Sequence, residues 1–296
     1  MDKRTYRINV LDDTIKKFTD KNYTSESGKQ VLINSDDLVN SVMNTRLCEL
    51  KKFKDIPPNP VSKSNLYIVN EDCLETALVM KRKGYSPLVL NMASFKHPGG
   101  GYKTGAGAQE ESIFRRTNLF QCLDNSNSQK LYPLKATQAI YTKGSVVIKN
   151  SEELKYKLLD NPEKLDFIAC AAHRCSPNDL YIDAKTKHLK MNESVYNATW
   201  NKLDLVFKTG IDEKNNVLIL GAFGCGAYHN PPYEIAKLLK EFIDYYAGYF
   251  EYIILPIIDD KNAFNNNKAG NLVIFSKVFE ADYIMLSDLD KVIKAI

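Results

Sequence analysis

The chain has 296 residues, with 40 Lys and Arg against 36 Asp and Glu for a net charge of +4. That charge is mild and forms no long basic run, so no sequence-specific nucleic-acid binding is expected. A hydrophobic fraction of 44% can fill a sizeable core. No stretch approaches the roughly 20 apolar residues of a membrane span, and the N-terminus lacks the apolar core of a secretory signal. The expectation is a soluble protein inside a cell, in cytoplasm or nucleus. Cys48, Cys73, Cys122, Cys170, Cys175 and Cys225 are scattered, with no CxxC pair and no His at zinc-finger spacing. They are expected to be reduced, buried thiols, and no metal is implied.

Two helix-like stretches open the chain, at 6–20 and 36–53, the second with Leu38, Val42, Leu47 and Leu50 roughly on one face. Pro57-Pro58-Asn59-Pro60 then reads as a boundary, dividing an N-terminal helical accessory segment (1–60) from a larger domain (61–296). Beyond it, apolar runs at Leu66–Val69, Leu88–Leu90, Ala139–Tyr141, Phe167–Ala171, Val217–Leu220 and Tyr252–Ile257 predict strands. Helices are predicted between them near 73–83, 109–123, 193–208 and 232–247. The last is the clearest, because Ile235, Leu238, Leu239, Phe242, Ile243 and Tyr246 recur at three and four. Gly84 and Gly210 fall where helix C-caps are expected. The alternation predicts a layered α/β domain around a largely parallel sheet. Asn265-Asn266-Asn267 reads as a loop.

In such sheets ligands bind outside the carboxyl ends of the strands, and two loops there are rich in glycine. The first runs from Asn91 through Pro98-Gly99-Gly100-Gly101 and Gly105-Ala106-Gly107 to Gln109-Glu110-Glu111. Its glycines suit positive φ or backbone contact with a ligand. The second, Gly221-Ala222-Phe223-Gly224-Cys225-Gly226-Ala227-Tyr228-His229-Asn230-Pro231-Pro232, leads into the strongest helix. Small residues let amides point inward and the helix adds its positive end, which suits a diphosphate. It is neither a Walker sequence nor a dinucleotide-binding fingerprint.

Glu110 and Glu111 are neighbours in sequence and diverge by about 100° on a helix, so both cannot face one bond. One should do chemistry and the other should orient something. A glycosidic bond to ribose breaks through an oxocarbenium-like state that needs a proton on the departing oxygen, and a single acid can supply it. The plain alternative is that these carboxylates compensate the helix dipole.

Together these stretches resemble the poly(ADP-ribose) glycohydrolase family, in its shorter bacterial and fungal branch. That family's signature is a triple glycine, six to eight residues, then Gln-Glu-Glu; here Gly99–Gly101 and Gln109–Glu111 are separated by seven. The resemblance spans roughly residues 60–280 and implies a macrodomain-like three-layer α/β/α fold with a mixed, largely parallel sheet. It implies Glu111 as the catalytic acid and Glu110 as a ligand of the neighbouring ribose hydroxyls. Asn91, Gly99, Gly100 and Gly101 are implied around the distal ribose, and Gln109 as a further substrate-binding residue. Gly224, Cys225, Gly226 and Ala227 are implied at the diphosphate, Tyr228 against the terminal ribose where relatives often have Phe, and Asp72 near the adenine. The implied reaction is hydrolysis of ribose–ribose bonds in poly(ADP-ribose), mainly from chain ends, by a monomer without cofactor. Partners would be the polymer or ADP-ribosylated macromolecules, with ADP-ribose as product. Two other readings stay open: a hydrolase for mono-ADP-ribose on protein or nucleic acid, and a non-catalytic ADP-ribose reader, which has no need of the acid. His97, His173 and His229 read as polar loop residues, Cys225 as a small residue rather than a nucleophile, and Asp259-Asp260 as a remote candidate for a cation.

Overall fold

The computed structural model describes residues 2–58, 63–259 and 269–296; Asp260 and Asn265-Asn266-Asn267, along with Asn59 and Pro60 of the proline run, lie outside them. In chain order the elements are α1 (Lys3–Asp20), β1 (Asn22–Thr24), β2 (Gln30–Leu32), α2 (Ser35–Met43), β3 (Thr45–Glu49), β4 (Asn65–Val69), α3 (Cys73–Arg82), β5 (Pro87–Met92), α4 (Gln109–Arg116), α5 (Leu119–Leu123), β6 (Gln138–Lys149), β7 (Leu158–Cys170), β8 (Leu180–Ile182), β9 (Leu189–Met191), α6 (Glu193–Asp212), β10 (Val217–Ile219), α7 (Pro232–Tyr245), β11 (Tyr252–Pro256), α8 (Asn271–Phe279) and α9 (Leu286–Val292). This is the expected α/β class with a mixed, mostly parallel sheet of seven strands. The chain divides into two compact units, one of Met1–Leu47, Asn91–Leu134 and Ile140–Cys170, the other of Cys48–Leu90, Lys135–Ala139 and Ala171–Ile296.

In the first unit, Asp2 caps α1 by accepting from the amides of Arg4 and Thr5, an arrangement that satisfies donors a helix start leaves bare. Phe18, Tyr23, Val31, Ile33 and Leu38 pack with Val146 and Ile148 of β6, so the opening helix and hairpin are built into this unit's core. β6 pairs antiparallel with β7 across register shifts near Gly144 and Lys149. Both strands are longer than predicted: Lys143 and Asp166 fall at a register shift beyond which the ladder resumes, and Glu163 and Lys164 pair within it despite interrupting the apolar run. The predicted helix 36–53 is corrected: it ends at Met43, and Thr45–Glu49 is a strand with Cys48 buried. Thr45 Oγ1 lies 3.1 Å from Thr142 Oγ1 of β6, and this pairing outweighs a helical spacing of leucines. The predicted helix 109–123 breaks at Thr117–Asn118. There Asn118 Oδ1 accepts from Val146 N at 2.7 Å and Ser145 Oγ at 2.9 Å.

In the second unit β5, β10, β11 and β4 run side by side, each pair parallel. Val217, Leu218, Ile219, Ile253, Ile254 and Leu255 are fully buried, as expected of strands covered on both faces. Phe207 stacks on Phe242 and Tyr246, tying α6 to α7. Gly84, with φ of 98°, closes α3 as expected. Gly210 is corrected: it lies inside α6, where a Cβ would press on Leu218 and Phe250 at 3.0 Å, so it serves close packing. α8 and α9 are additional to the predicted elements. Among the described residues no helix is long and apolar enough to cross a membrane, and all six cysteines are buried thiols outside any disulfide.

Candidate active site

β5 delivers Asn91 to the carboxyl end of its strand, fully buried. The chain then loops through Gly99–Gly101 and a 3-10 turn at Tyr102–Thr104 before α4 begins at Gln109. Ala108, the residue before α4, offers no side-chain cap, and the three side chains that follow turn back onto the preceding loop. Gln109 Oε1 accepts from Met92 N at 2.8 Å. Glu110 accepts from Ser94 N at 2.7 Å, Gly99 N at 3.1 Å and Asn91 Nδ2 at 3.4 Å. Glu111 Oε1 accepts from Gly101 N at 2.9 Å. The structure thus brings Asn91, Gly99, Gly101, Gln109, Glu110 and Glu111 into one hydrogen-bonded cluster.

Gly100 is the glycine that meets the two carboxylates most closely. Its φ is 54°, and a Cβ there would sit 2.6 Å from Glu111 Oε1 and 3.2 Å from Glu110 Oε2. A side chain is excluded by both the backbone and the carboxylates.

The two carboxylates differ in what is left over. Both oxygens of Glu110 are committed to donors. Burial pushes it up to about 8, opposed by the Ser94 amide and reinforced by the charge of Glu111. Glu111 has one oxygen anchored, while Oε2 is buried and has no hydrogen-bond partner among the described residues. Asn91 Oδ1 is in the same condition. Buried polar atoms without partners are rare and call for an explanation; two in one cluster beside a ligand-type loop fit groups reserved for a substrate.

In the second unit the loop after β10 is stapled by Asn230, which sequence reading did not single out. Its Nδ2 donates to His173 O at 2.7 Å, Gly224 O at 3.1 Å and Tyr228 O at 3.2 Å. Further bonds run from Cys225 N to Ala222 O, His229 N to Gly226 O and Cys175 N to Tyr228 O. The loop is therefore pre-shaped before α7. Burial, with a smaller contribution from Cys175, raises the Cys225 thiol far above its ordinary range, which disqualifies it as a nucleophile. Asp72 caps α3, one oxygen accepting from Leu74 N at 2.8 Å and Glu75 N at 3.1 Å; this structural duty accounts for that carboxylate oxygen. No cluster of three metal-binding side chains occurs among the described residues.

Residues 12–150 match the family model described as microbial-type PARG, catalytic domain. This segment, just under half of the chain, is what resembles the microbial-type PARG catalytic domain. The matched stretch contains the whole Asn91–Glu111 cluster and also α1 from residue 12, so the family pattern extends well before the proline run. No curated protein matches the chain. Among solved structures it is similar to poly(ADP-ribose) glycohydrolase from Thermomonospora curvata, at 23% identity and a TM-score of 0.75, over 93% of this chain and 100% of that one. The same protein bound to the inhibitor ADP-HPD gives 23% and 0.74, over 93% and 99%. The Deinococcus radiodurans enzyme in complex with ADP-ribose gives 22% and 0.66, over 84% and 99%. At these identities the likeness establishes the fold, which is the macrodomain-like fold of those PARG structures.

Proposed function

We propose that the protein hydrolyses the ribose–ribose O-glycosidic bonds of poly(ADP-ribose) and releases ADP-ribose. The observation that carries this reading is the asymmetry of the Glu111 carboxyl, with Oε1 held by the Gly101 amide and Oε2 buried without a partner among the described residues. A group placed only for helix capping or dipole compensation would face its own helix amides or water. In the proposed reaction Glu111 gives its proton to the departing ribose oxygen as the bond from that oxygen to the anomeric carbon breaks. The resulting carboxylate then takes a proton from a water whose oxygen bonds to the anomeric carbon, restoring the acid. Glu110 and Asn91 orient the hydroxyls of the sugar being cleaved; for Gly224–Ala227, Tyr228 and Asp72, the family resemblance supports roles toward the diphosphate, the terminal ribose and the adenine. Action mainly from chain ends is part of the proposal, supported by the resemblance of residues 12–150 to the microbial-type PARG catalytic domain.

The decisive experiment incubates wild type and Glu111→Gln with purified poly(ADP-ribose) and follows free ADP-ribose. Wild type should release monomer without short oligomers. Glu111→Gln should lose roughly 10²–10⁴-fold in rate while still binding ADP-ribose. Binding without release by wild type would make the protein a reader. Release only from mono-ADP-ribosylated protein or nucleic acid would redirect the same acid to a different leaving group. Full turnover by Glu111→Gln would remove the acid assignment.

A further inference from the structure

The glycine loop does not stand alone. Beyond Gly101 it is gripped by α1, which packs on α4 and on the 102–104 turn. The Arg7 guanidinium forms a two-point pair with Glu152, Nε to Oε2 at 2.8 Å and Nη2 to Oε1 at 3.2 Å. Tyr156 donates its hydroxyl to the same Glu152 oxygen at 3.1 Å and accepts from Arg115 Nε at 2.9 Å. Arg115, fully buried in α4, sends Nη1 to Ala106 O at 2.7 Å. Ala106 N in turn donates to Gly101 O at 3.2 Å, and Gly101 N holds Glu111. A continuous chain of charge-assisted and backbone hydrogen bonds therefore runs from α1 to the acid.

A second contact joins the same ends directly. A Cβ on Gly107 would lie 2.1 Å from Arg7 Nη1 and 2.4 Å from its Cζ, so the guanidinium fills the space that a side chain at 107 would need. Arg7's grip on its proton is raised chiefly by its hydrogen bond to Glu152, with smaller contributions from the charges of Glu152, Tyr156 and Glu111. Its charge persists throughout the working pH range. A planar, permanently charged fork locked by a carboxylate is well suited to fixing a loop at one distance.

We propose that Arg7 is a positioning residue for the reaction: by clamping residues 105–107 through Glu152, Tyr156, Arg115 and its contact with Gly107, it holds the Gly101 amide in register with Glu111. The first helix then belongs to the active site rather than to an accessory segment. The kinetic consequence rests on the glycohydrolase reading; the clamp itself does not. Sequence gives no local signal for it, because Arg7 and Glu152 are 145 positions apart.

The test uses the full chain as wild type, Arg7→Ala, Gly107→Ala and the double variant. It measures kcat and KM on poly(ADP-ribose), ADP-ribose affinity, Tm, and amide hydrogen exchange over 99–108. Arg7→Ala should lose roughly tenfold to a hundredfold in kcat, the scale expected of a small misplacement of a catalytic group. Its KM and ADP-ribose affinity should change by less than about twofold, since ground-state binding is untouched. Exchange over 99–108 should accelerate, and added guanidinium ion should restore part of kcat. Gly107→Ala should lower kcat alone yet add nothing in the Arg7→Ala background, because both act through one contact. A kcat and an exchange pattern matching wild type would overturn the proposal, and so would a loss that follows Tm, resists guanidinium and adds in the double variant. Absence of polymer cleavage by wild type would overturn the glycohydrolase reading instead, with the exchange data still deciding whether the clamp exists.

Discussion

The two glycine-rich loops share a composition and differ in why they need it. In the loop before α4, Gly100 is required by the protein itself: its φ is positive and its missing Cβ makes room for Glu111 and Glu110. In the loop before α7 the reasons are divided. Gly224, with φ of 73°, leaves space for Asn230 Nδ2 at 2.5 Å and Ala172 Cβ at 2.6 Å. Gly226 has no positive φ, and a Cβ on it would meet no atom of the described residues within 4 Å. Nothing among those residues demands glycine there, which fits a position kept small for something that arrives from outside. One loop is thus a holder of carboxylates, and the other is a rigid frame with one position left open.

The largest effect that can break this contrast is expected at Gly100. The atom a new Cβ would strike is the end of a flexible side chain, so Gly100→Ala should displace Glu111 rather than unfold the protein. Positive φ costs about 1 kcal/mol in stability, while kcat should fall by roughly a hundredfold as the acid leaves its place. Kinetics and chemical denaturation on one preparation check both. A stability loss as large as the activity loss would mean that the glycine serves the fold. Next comes Gly224→Ala, where the obstacle is a stapled Asn230 and a buried Ala172 that cannot swing away. Overpacking and positive φ together should cost about 2–4 kcal/mol in denaturant unfolding. Gly226→Ala should do the opposite, leaving Tm unchanged while weakening ADP-ribose by roughly tenfold, about 1.4 kcal/mol of binding. Titration calorimetry checks it, and unchanged affinity would show that the open position is not used.

Much of this contrast is legible in the sequence, and its limits have physical causes. Both loops, the strands before them and α7 follow from glycine spacing, apolar runs and a 3.6-residue period. The Gln109–Glu111 cluster is legible through the family signature that sets its distance from the triple glycine; the structure adds the physical reason, since side chains in a first helical turn fold back onto the loop that precedes them. Three things were not legible. The strand Thr45–Glu49 is specified by its neighbour β6, not by its own pattern of leucines. Asn118 and Asn230 work by satisfying backbone groups of distant segments, and an Asn carries no mark of which carbonyl or amide it will meet. The Arg7–Glu152 pair closes only when the chain has folded, so an arginine on an unremarkable amphipathic helix looks like any solvated cation. Local spacing therefore reveals which residues carry chemistry, and long-range pairing reveals what holds them.

A gradual effect, spread over pH rather than read at one condition, is expected from the charge of the loop before α4. Burial raises Glu110 from its ordinary value of 4.5 to about 8, so between those values the folded protein keeps a proton that the unfolded chain releases. Native protein then binds more protons than unfolded chain, and stability falls as pH rises through this window, levelling above about 8. Glu110→Gln has no proton to lose. It should carry a pH-independent cost from a poorer acceptor for the Ser94 and Gly99 amides, but a flatter profile. Between pH 5 and 8, wild-type Tm should drop relative to the variant by roughly 3 °C per pH unit, on the usual scale of one proton per transition. Parallel Tm curves would show that three hydrogen-bond donors outweigh burial and keep Glu110 ionised, making it a fixed negative charge beside the acid rather than a neutral one.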